Sequence, residues 1–498
     1  MRHTPHNFMS QQTDNKASTS RHPIVVILGH IDHGKTTLLD YIRKTNVVSK
    51  ESGGITQHLG ASEILWHDKR VTFLDTPGHE IFSKMRVRGA RVADVAVLVV
   101  AADDGVKPQT KEALEAVKKA NIPFIVALNK IDKATADIDR AKASLAEIDV
   151  LVEGWGGSVP CVPVSAKEGK GIDELLETIF LLTDLEELRG DPSLPLRGIV
   201  IESHLDPRRG PAAMIIVRDG QIKKGDFVLA GSASAPVRIL EDGFGKPIES
   251  AGPSSPARIV GFDGVPEIGS EAISFSSKAE LEVARAAIAK PATRENAPAD
   301  IGILVKADVA GSYEALVEEL RSIVPADLPV KFFEGGVGEV TESEIKNISA
   351  AKIPFVIGFH VRIRGPILDV AERFHVSVRS FEVIYEAIDW MREELQKLAP
   401  KKITREDHGK LLVLKVFANI PAGRIIGGRA KDGIVPADAQ FEIIRQGEIV
   451  GKGRIISLQR NKIAATTLRS GEEGGLMVQS SRAIDERDIL AFYHEREA

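Results

Sequence analysis

The sequence of 498 residues contains a single cysteine and no long apolar run. One thiol, Cys161, excludes intramolecular disulfides and any metal site made of cysteines alone, and it fits a reducing compartment. No segment approaches the roughly 20 consecutive apolar residues that a membrane-spanning helix needs. Residues 1–22 have no apolar core that would act as a secretion signal. We therefore expect a cytoplasmic protein without a membrane partner, whose residues 1–22 form a disordered tail.

Neither sign of charge dominates, since the net charge is only −5. It is unevenly spread, because residues 400–498 carry 17 Lys and Arg against 13 Asp and Glu. A basic end on an acidic body favours a polyanionic partner for that end, although ordinary scatter of charges explains the pattern equally well. With 43% hydrophobic and 27% charged residues, the composition excludes a disordered or coiled-coil chain.

The order of apolar runs and turns predicts an α/β multidomain protein. Residues 23–188 alternate fully apolar strand-like runs with helical stretches, which is typical of a mostly parallel sheet covered on both faces. Residues 196–277 and 405–498 have short strands between turns, as in small β-barrels. Residues 278–382 predict a small α/β sandwich domain. Residues 383–399 lack Gly and Pro and predict a long linking helix.

The most informative motif is a phosphate-binding loop, or P-loop, between a predicted strand and a predicted helix. Its pattern G-x-x-x-x-G-K-[ST] is formed by Gly29, His30, Ile31, Asp32, His33, Gly34, Lys35 and Thr36, with Thr37 following. Backbone N–H groups of such a loop turn onto phosphates, and the helix N-terminus adds positive potential. We expect Lys35 to reach the β- and γ-phosphates and Thr36 to ligate Mg²⁺. The motif alone does not separate ATP from GTP.

A second motif, Asp75, Thr76, Pro77 and Gly78, ends the next predicted strand. A carboxylate in this place can hold Mg²⁺ through a water molecule, and the Gly78 N–H group can sense the γ-phosphate. The same four residues also make a good turn, so the pattern alone leaves both interpretations open.

Two further motifs end later strands and point to guanine. The first contains Asn129, Lys130 and Asp132, and the second contains Ser165, Ala166 and Lys167. Ligands of such sheets bind beyond the carboxyl ends of the strands. The Asp132 carboxylate can accept hydrogen bonds from guanine N1–H and the 2-amino group, which adenine lacks, while Asn129 and the Ala166 N–H group would bond the remaining guanine edge. The four motifs in this order predict a GTP-binding domain.

Longer stretches resemble the translational GTPases, and most of all the bacterial initiation factor 2 family. These stretches are GHIDHGKTTLLDYIRKT, GGITQHLGA, DTPGHEIFSKMRVRGA, GIVIESHLDPRRGPAA, KADVAGSYEAL, FEGGVGEVTESEI and IGFHVR. The family's order of G domain, β-barrel, α/β domain, long helix and C-terminal β-barrel agrees with the division above. The resemblance implies a monomeric, ribosome-dependent GTPase that binds GTP, GDP and Mg²⁺. It further implies that the chain promotes formylmethionyl initiator tRNA binding to the small subunit and subunit joining, together with other initiation factors.

The resemblance also assigns roles that residue types alone do not. Thr56 would ligate Mg²⁺ beside Thr36, and His79 would orient the attacking water. Ile31 and Ile55 would shield the water site until the ribosome moves His79 inward. By residue type alone, Thr56 is a polar loop residue, and His79 is equally well a solvent-facing loop residue.

In the family, the C-terminal barrel binds the formylmethionyl end of initiator tRNA. Arg460 and Glu473 match the family pattern there. Gly428 and Gly474 stand where the family usually has cysteines. We therefore expect discrimination for the formylmethionyl group to survive in reduced form.

Three other interpretations remain open from the sequence. An elongation-type factor carrying another tRNA is disfavoured by the α/β third domain and the long helix. A GTP-binding sensor without useful turnover is disfavoured by the intact set Lys35, Thr36, Thr56, Asp75 and His79. A metabolic P-loop kinase is disfavoured by the guanine motifs.

Overall fold

The computed structural model describes residues 19–45, 58–286, 300–326, 328–398, 403–420, 423–461 and 463–497. It divides into two compact units, with the boundary between Lys397 and Leu398. None of the helices within these ranges is long and apolar enough to cross a bilayer.

The first unit begins with a six-stranded sheet of order β3-β4-β2-β5-β6-β7. The elements of this region are β1 (Thr19–Ser20), β2 (Ile24–Gly29), α1 (Lys35–Arg43), β3 (Gly60–Trp66), β4 (Lys69–Asp75), a 3-10 turn (Glu80–Phe82), α2 (Ser83–Val92), β5 (Val95–Ala101), α3 (Pro108–Ala120), β6 (Phe124–Asn129), α4 (Ile138–Ala146), β7 (Cys161–Pro163), α5 (Ile172–Leu185) and β8 (Arg189–Gly190). All neighbouring pairs are parallel except β3 with β4. Every residue of β2 and β5 is buried, which confirms the parallel sheet expected from the apolar runs.

The prediction of a disordered tail over residues 1–22 is wrong at its C-terminal end. Thr19 and Ser20 pair with β8 as a short antiparallel ladder. Next to it, the guanidinium of Arg21 lies 2.6 Å from the Asp94 carboxylate, and both side chains are buried. The partners are more than 70 residues away along the chain, so local composition gave no signal for this contact. Residues 1–18 lie outside the described part of the chain.

An antiparallel sheet of order β13-β12-β17-β9-β10-β16-β14 follows. The strands of this part of the chain are β9 (Arg197–Asp206), β10 (Gly210–Asp219), β11 (Ile222–Lys223), β12 (Phe227–Ala230), β13 (Ala233–Pro236), β14 (Ile239–Glu241), β15 (Ser250–Ala251), β16 (Pro256–Val260) and β17 (Glu271–Phe275), of which β11 and β15 pair separately. The two edge strands, β13 and β14, are separated by only two residues of chain. The sheet must therefore curl until its edges approach, which gives the barrel expected here.

The last part of the first unit is a small α/β domain. Its elements are α6 (Lys278–Ala286), β18 (Ile301–Ala307), α7 (Ala310–Ser322), β19 (Val330–Phe332), β20 (Gly336–Val337), α8 (Glu342–Ile348), β21 (Ile353–Phe359), α9 (Gly365–Arg373), β22 (Ser377–Phe381) and α10 (Ile384–Leu398). The parallel order is β19-β18-β21-β22, with β20 also on β18.

Helix α10 is the helix that the sequence predicted as a linker. It buries Ile384, Ile388 and Met391. The Trp390 ring lies 5.8 Å from Phe355 and 5.6 Å from Phe381, measured between ring centroids. Over its described length α10 is thus a packed element of the α/β domain and not a free spacer.

The second unit is an antiparallel barrel. It contains β23 (Ile403–Ile420), β24 (Gly423–Pro436), β25 (Gln440–Arg445), β26 (Glu448–Arg460), β27 (Ile463–Ala464), β28 (Thr467–Arg469), β29 (Glu473–Ser480) and β30 (Ile489–Glu497). The ring β23-β30-β25-β26-β29-β24 closes because β24 pairs back onto β23. Phe441, Leu476 and Phe492 fill its core. Closure leaves none of these six strands as a free edge, and it confirms the predicted barrel.

The single cysteine lies at the start of β7 and is half-buried. Burial raises the pKa of the Cys161 thiol to about 11. At neutral pH the thiol is therefore protonated and a poor nucleophile.

Candidate functional site

The P-loop connects β2 to α1 and depends on two glycines. Gly34 has φ +86°, and a Cβ atom there would lie 2.4 Å from Asn129 Nδ2. Gly29 has φ +145°, and its Cβ atom would lie 2.4 Å from the Val99 carbonyl oxygen. Both the backbone conformation and the close approach of neighbours therefore require glycine. The loop brings its N–H groups to the N-terminus of α1, which favours anions.

Lys35 is the first residue of α1 and is held across the P-loop. Its ammonium donates to the His30 carbonyl oxygen at 2.7 Å. Burial lowers the pKa of Lys35 to about 8, because the ammonium has lost most of its water. Phosphate oxygens at the loop would supply the missing negative charge.

Asp75 ends β4 as a fully enclosed carboxylate. Burial raises the pKa of Asp75 to about 6, against the opposing effects of Arg43 and Lys35. Its Oδ1 atom has no hydrogen-bond partner in the described chain, and the guanidinium of Arg43 is 3.9 Å from Oδ2. A buried carboxylate oxygen that lacks a partner beside a phosphate loop fits a site for a divalent cation or its bound water.

The Asp75–Gly78 motif passes directly beside the P-loop. A Cβ atom on Gly78 would lie 2.4 Å from Lys35 Nζ and 3.1 Å from the Ile31 backbone nitrogen. Thr76 turns inward, and its hydroxyl donates to the Ile27 carbonyl oxygen at 2.7 Å. The structure thus brings these two motifs together.

Arg86 fixes the backbone that follows this motif. Its side chain is almost completely buried on α2 and donates to the carbonyl oxygens of Pro77 and His79. Glu112 on α3 lies 2.5 Å from the same guanidinium. Sequence reasoning missed Arg86, since its partner Glu112 is on a different helix.

His79 follows Gly78 and precedes the 3-10 turn. Burial, and then the positive charge of Arg86, lowers the pKa of His79 to about 4, so the imidazole is neutral at pH 7. Its Nδ1 atom is in hydrogen-bond contact with the hydroxyl of Tyr385 on α10. Sequence reasoning did not single out Tyr385.

The two guanine motifs meet through Asn129 at the end of β6. Its side-chain amide donates to the His33 carbonyl oxygen at 2.8 Å, and its oxygen accepts from the Ala166 N–H group at 3.0 Å. The Ser165 hydroxyl donates to Asp132 at 2.7 Å, which lowers the pKa of Asp132 and keeps its carboxylate ionised. One buried amide therefore links the P-loop to both motifs.

A further support of the P-loop is Gln109 on α3. Its side-chain oxygen accepts from the Ile31 N–H group at 3.1 Å and lies 2.5 Å from His30 Nδ1. The sequence offered no signal for this residue beyond its place in the first turn of α3 after Pro108.

The remaining candidates of this site differ in exposure. Asp32, Thr37 and Lys167 are exposed, and Lys130 is half-buried with φ +66°. Thr56 and Ile55 lie outside the described residues.

The candidates of the C-terminal barrel do not meet each other. Arg460 pairs with Glu472 at 2.5 Å, whereas Glu473 pairs with Arg429 at 2.5 Å. Arg460 and Glu472 line a cavity of about 650 Å³ together with Asn461, Ile463, Ala464, Ala465, Thr466, Thr467 and Arg469. Glu473 is not among its lining residues.

Gly428 and Gly474 face each other across β24 and β29. A Cβ atom on Gly428 would lie 2.2 Å from a methyl carbon of Leu411, and one on Gly474 would lie 2.5 Å from a methyl carbon of Leu468. Leucine side chains thus occupy the space that larger residues at these positions would need.

Three family models match consecutive parts of the chain. The model described as Elongation factor Tu GTP binding domain matches residues 20–184, Elongation factor G domain 2 matches residues 195–275, and Translation-initiation factor 2 matches residues 274–392. Among solved structures, GDP-bound aIF5B from Aeropyrum pernix aligns over 95% of this chain and 92% of that chain, with 28% identity and a TM-score of 0.48.

Curated relatives cover nearly the whole chain. Translation initiation factor IF-2 of Rubrobacter xylanophilus is 43% identical over 490 residues, which is 95% of this chain and 71% of that protein. Translation initiation factor IF-2 of a Thermoanaerobacter species is 40% identical over 503 residues, which is 97% of this chain and 72% of that protein. The chain therefore belongs to the translation initiation factor IF-2 family, and it is a GTPase that binds GTP and GDP and acts on the ribosome in translation initiation.

Proposed function

We propose that the four motifs of residues 23–188 form one GTP site. Residues 29–37 hold the phosphates, the Asp75–Gly78 motif contacts the γ-phosphate side, and Asp132 reads the guanine base. The observation that carries this proposal is the direct contact between motifs: Gly78 lies against Lys35, and Asn129 bonds both the P-loop and Ala166. Ser165 supports Asp132, while Lys130 and Lys167 flank the base.

We propose that this site also holds Mg²⁺. Thr36 and Thr56 would be its protein ligands, and Asp75 would hold one of its water molecules. The buried Asp75 carboxylate, with one oxygen lacking a partner in the described chain, fits this role. When bound, Mg²⁺ would neutralise charge on the phosphates. Lys35 would hold the phosphate oxygens in place.

His79 is proposed as the residue that orients the attacking water. It directly follows Gly78, where an added Cβ atom would meet Lys35 and Ile31 of the P-loop, and a neutral imidazole that is free of Tyr385 has one acceptor nitrogen for a water proton. Ile31, on the P-loop, and Ile55 would shield the water site. Hydrolysis is then slow until the ribosome brings His79 into position.

For the whole chain we propose that it promotes formylmethionyl initiator tRNA binding to the small subunit, and then subunit joining with GTP hydrolysis. It would act in the cytoplasm as a monomer together with other initiation factors. The barrel of residues 405–498 would bind the acceptor end of the tRNA. The positive balance of residues 400–498 and the cavity beside Arg460 support this part.

The barrel's discrimination for the formylmethionyl group is proposed to be reduced. Leu411 and Leu468 fill the space beside Gly428 and Gly474, so the pocket wall differs from one that cysteines would make. Titration of the whole chain with formylated, unformylated and deacylated initiator tRNA tests this. Equal affinity for all three would remove the formylmethionyl part of the proposal.

The central test is nucleotide hydrolysis with and without ribosomes. We expect ribosomes to stimulate GTP hydrolysis strongly and ATP hydrolysis not at all. GTP hydrolysis that ribosomes leave unchanged would contradict the proposed ribosome dependence of the site.

A further inference from the structure

One aromatic side chain reaches His79 from a different domain of the first unit. Tyr385 lies in the first turn of α10, 306 residues beyond His79, yet its hydroxyl contacts His79 Nδ1. The two ring centroids are 4.0 Å apart, and the ring planes are inclined by 53°. We propose that Tyr385 is a positioning residue that holds His79 away from the reacting water and so restrains GTP hydrolysis. This contact is called the latch below, and the proposal rests on the proposed function of His79.

Tyr385, one partner of the latch, lies on a helix that is firmly packed. Ile384, the residue before Tyr385, is buried, and so are Ile388 and Met391 further along α10. Trp390 packs on the rings of Phe355 and Phe381. Because α10 is packed onto the α/β domain, the backbone of Tyr385 moves together with that domain.

The histidine side has a fixed backbone and a side chain that can turn. Arg86 donates to the His79 carbonyl oxygen, and Glu112 holds Arg86 from α3. The imidazole itself is only half-buried. Tyr385 is the hydrogen-bond partner of the imidazole among the described residues. Breaking this one bond therefore frees the ring while the motif stays in place.

In the proposed latch the Tyr385 hydroxyl is the donor and His79 Nδ1 is the acceptor, which requires one tautomer of the imidazole. Burial favours the neutral imidazole of His79, and the nearby charges of Arg86 on α2 and of His30 and Lys35 at the P-loop lower its pKa further. A neutral imidazole has one donor and one acceptor nitrogen. When the Tyr385 hydroxyl donates to Nδ1, the hydrogen is on Nε2, so neither nitrogen can accept from water. Release of Tyr385 returns an acceptor nitrogen to the ring.

The position of the latch suggests how it opens. Helix α10 runs from Ile384 to Leu398, and the first compact unit ends at Lys397. A shift of the α/β domain and α10 against the G domain would separate the hydroxyl from Nδ1. In this proposal the ribosome drives that shift, so activation removes a restraint as well as placing His79.

The test is Tyr385→Phe in the full chain, which keeps the ring and removes the hydroxyl. We expect the ribosome-free kcat for GTP to rise about fivefold, as loss of one net hydrogen bond allows, with KM unchanged. The ribosome-stimulated rate should change less than about twofold. Tyr313→Phe is the matched control, since Tyr313 is a half-buried tyrosine in the first turns of α7 in the same domain. It should leave both rates unchanged.

A second pair of variants shows whether the effect acts through His79. His79→Ala and the double variant His79→Ala/Tyr385→Phe should have the same ribosome-free rate, close to that of the wild type. A rise that persists without His79, or a wild-type ribosome-free rate in Tyr385→Phe alone, overturns the latch. The proposed role of His79 is judged separately: it fails if His79→Ala retains ribosome-stimulated hydrolysis.

Discussion

The proposed nucleotide site and the C-terminal barrel place their candidate residues in opposite ways. At the nucleotide site, residues from four strand ends meet in a buried web centred on Asn129 and Lys35. On the barrel, Arg460 and Glu473 each pair with a different partner, and both pairs are partly exposed. Buried, desolvated contacts carry larger energies than exposed ion pairs. Substitutions should therefore have graded effects, strongest near the reacting phosphate and weakest on the barrel.

The largest effect is expected for His79→Ala. Loss of a group that positions the attacking water should lower ribosome-stimulated GTP hydrolysis by about 10²- to 10³-fold. GTP affinity should stay close to that of the wild type, because the group acts only in the transition state. Single-turnover hydrolysis with ribosomes measures the first quantity, and equilibrium nucleotide binding measures the second. His375→Ala, an exposed histidine after α9, is the control. A wild-type rate for His79→Ala would make the histidine a bystander.

The second-largest effect is expected for Asp132, the proposed contact of the guanine base. Asp132→Asn should weaken GTP binding by about 10- to 100-fold, since a charge-assisted hydrogen-bond pair to the guanine base is lost. The same variant should bind XTP more tightly, because the Asn amide can donate to the 2-oxo group of xanthine. Competition between GTP and XTP checks both statements. Asp139→Asn, on the exposed face of α4, should leave the preference unchanged. Unaltered GTP affinity in Asp132→Asn would remove this residue from the base site.

A smaller effect is expected from pH at the proposed magnesium site. With a pKa of about 6, the Asp75 carboxyl is protonated below pH 6 and ionised above it. Because protons compete with the cation, Mg²⁺ affinity with GDP present should rise about tenfold from pH 5 to pH 7. Asp75→Asn should show only the smaller rise that the nucleotide phosphates cause. Identical pH profiles for the two proteins would contradict a role of Asp75 in holding Mg²⁺.

The smallest effect is expected on the barrel. Arg460→Ala should weaken initiator tRNA binding only a few-fold and reduce its salt dependence by about one phosphate contact. Arg482→Ala, exposed on the same barrel but away from the cavity, is the control. Binding is measured with the full chain at two salt concentrations. If Arg460→Ala lost as much tRNA affinity as Asp132→Asn loses GTP affinity, the expected difference between the barrel and the nucleotide site would be wrong.

The same contrast separates what the sequence could predict from what it could not. In a parallel sheet, the carboxyl ends of strands meet at one edge, so motifs that follow buried runs must converge. The proximity of Lys35, Gly78 and Asn129 followed from that rule. In an antiparallel barrel, neighbours depend on strand register, which side-chain pattern alone does not set. Arg460 and Glu473 were grouped only because both match the family pattern, and the register gives each of them a different partner.

Contacts between distant segments were also beyond the sequence. Arg21 with Asp94, Arg86 with Glu112 and Tyr385 with His79 each join residues from separate elements. The edge strand β3 was missed as well, because only part of it is buried and its apolar residues do not form a continuous run. Such features depend on packing, and no local pattern marks them.

The lone thiol of Cys161 has a practical consequence for watching this protein in motion. Since burial keeps that thiol protonated at neutral pH, it reacts slowly with maleimide or iodoacetamide reagents. Cysteines introduced at exposed positions, such as Lys111 on α3 and Glu386 on α10, would then be labelled selectively with a pair of dyes. Energy transfer between them would report in real time whether α10 departs from the G domain when ribosomes are added.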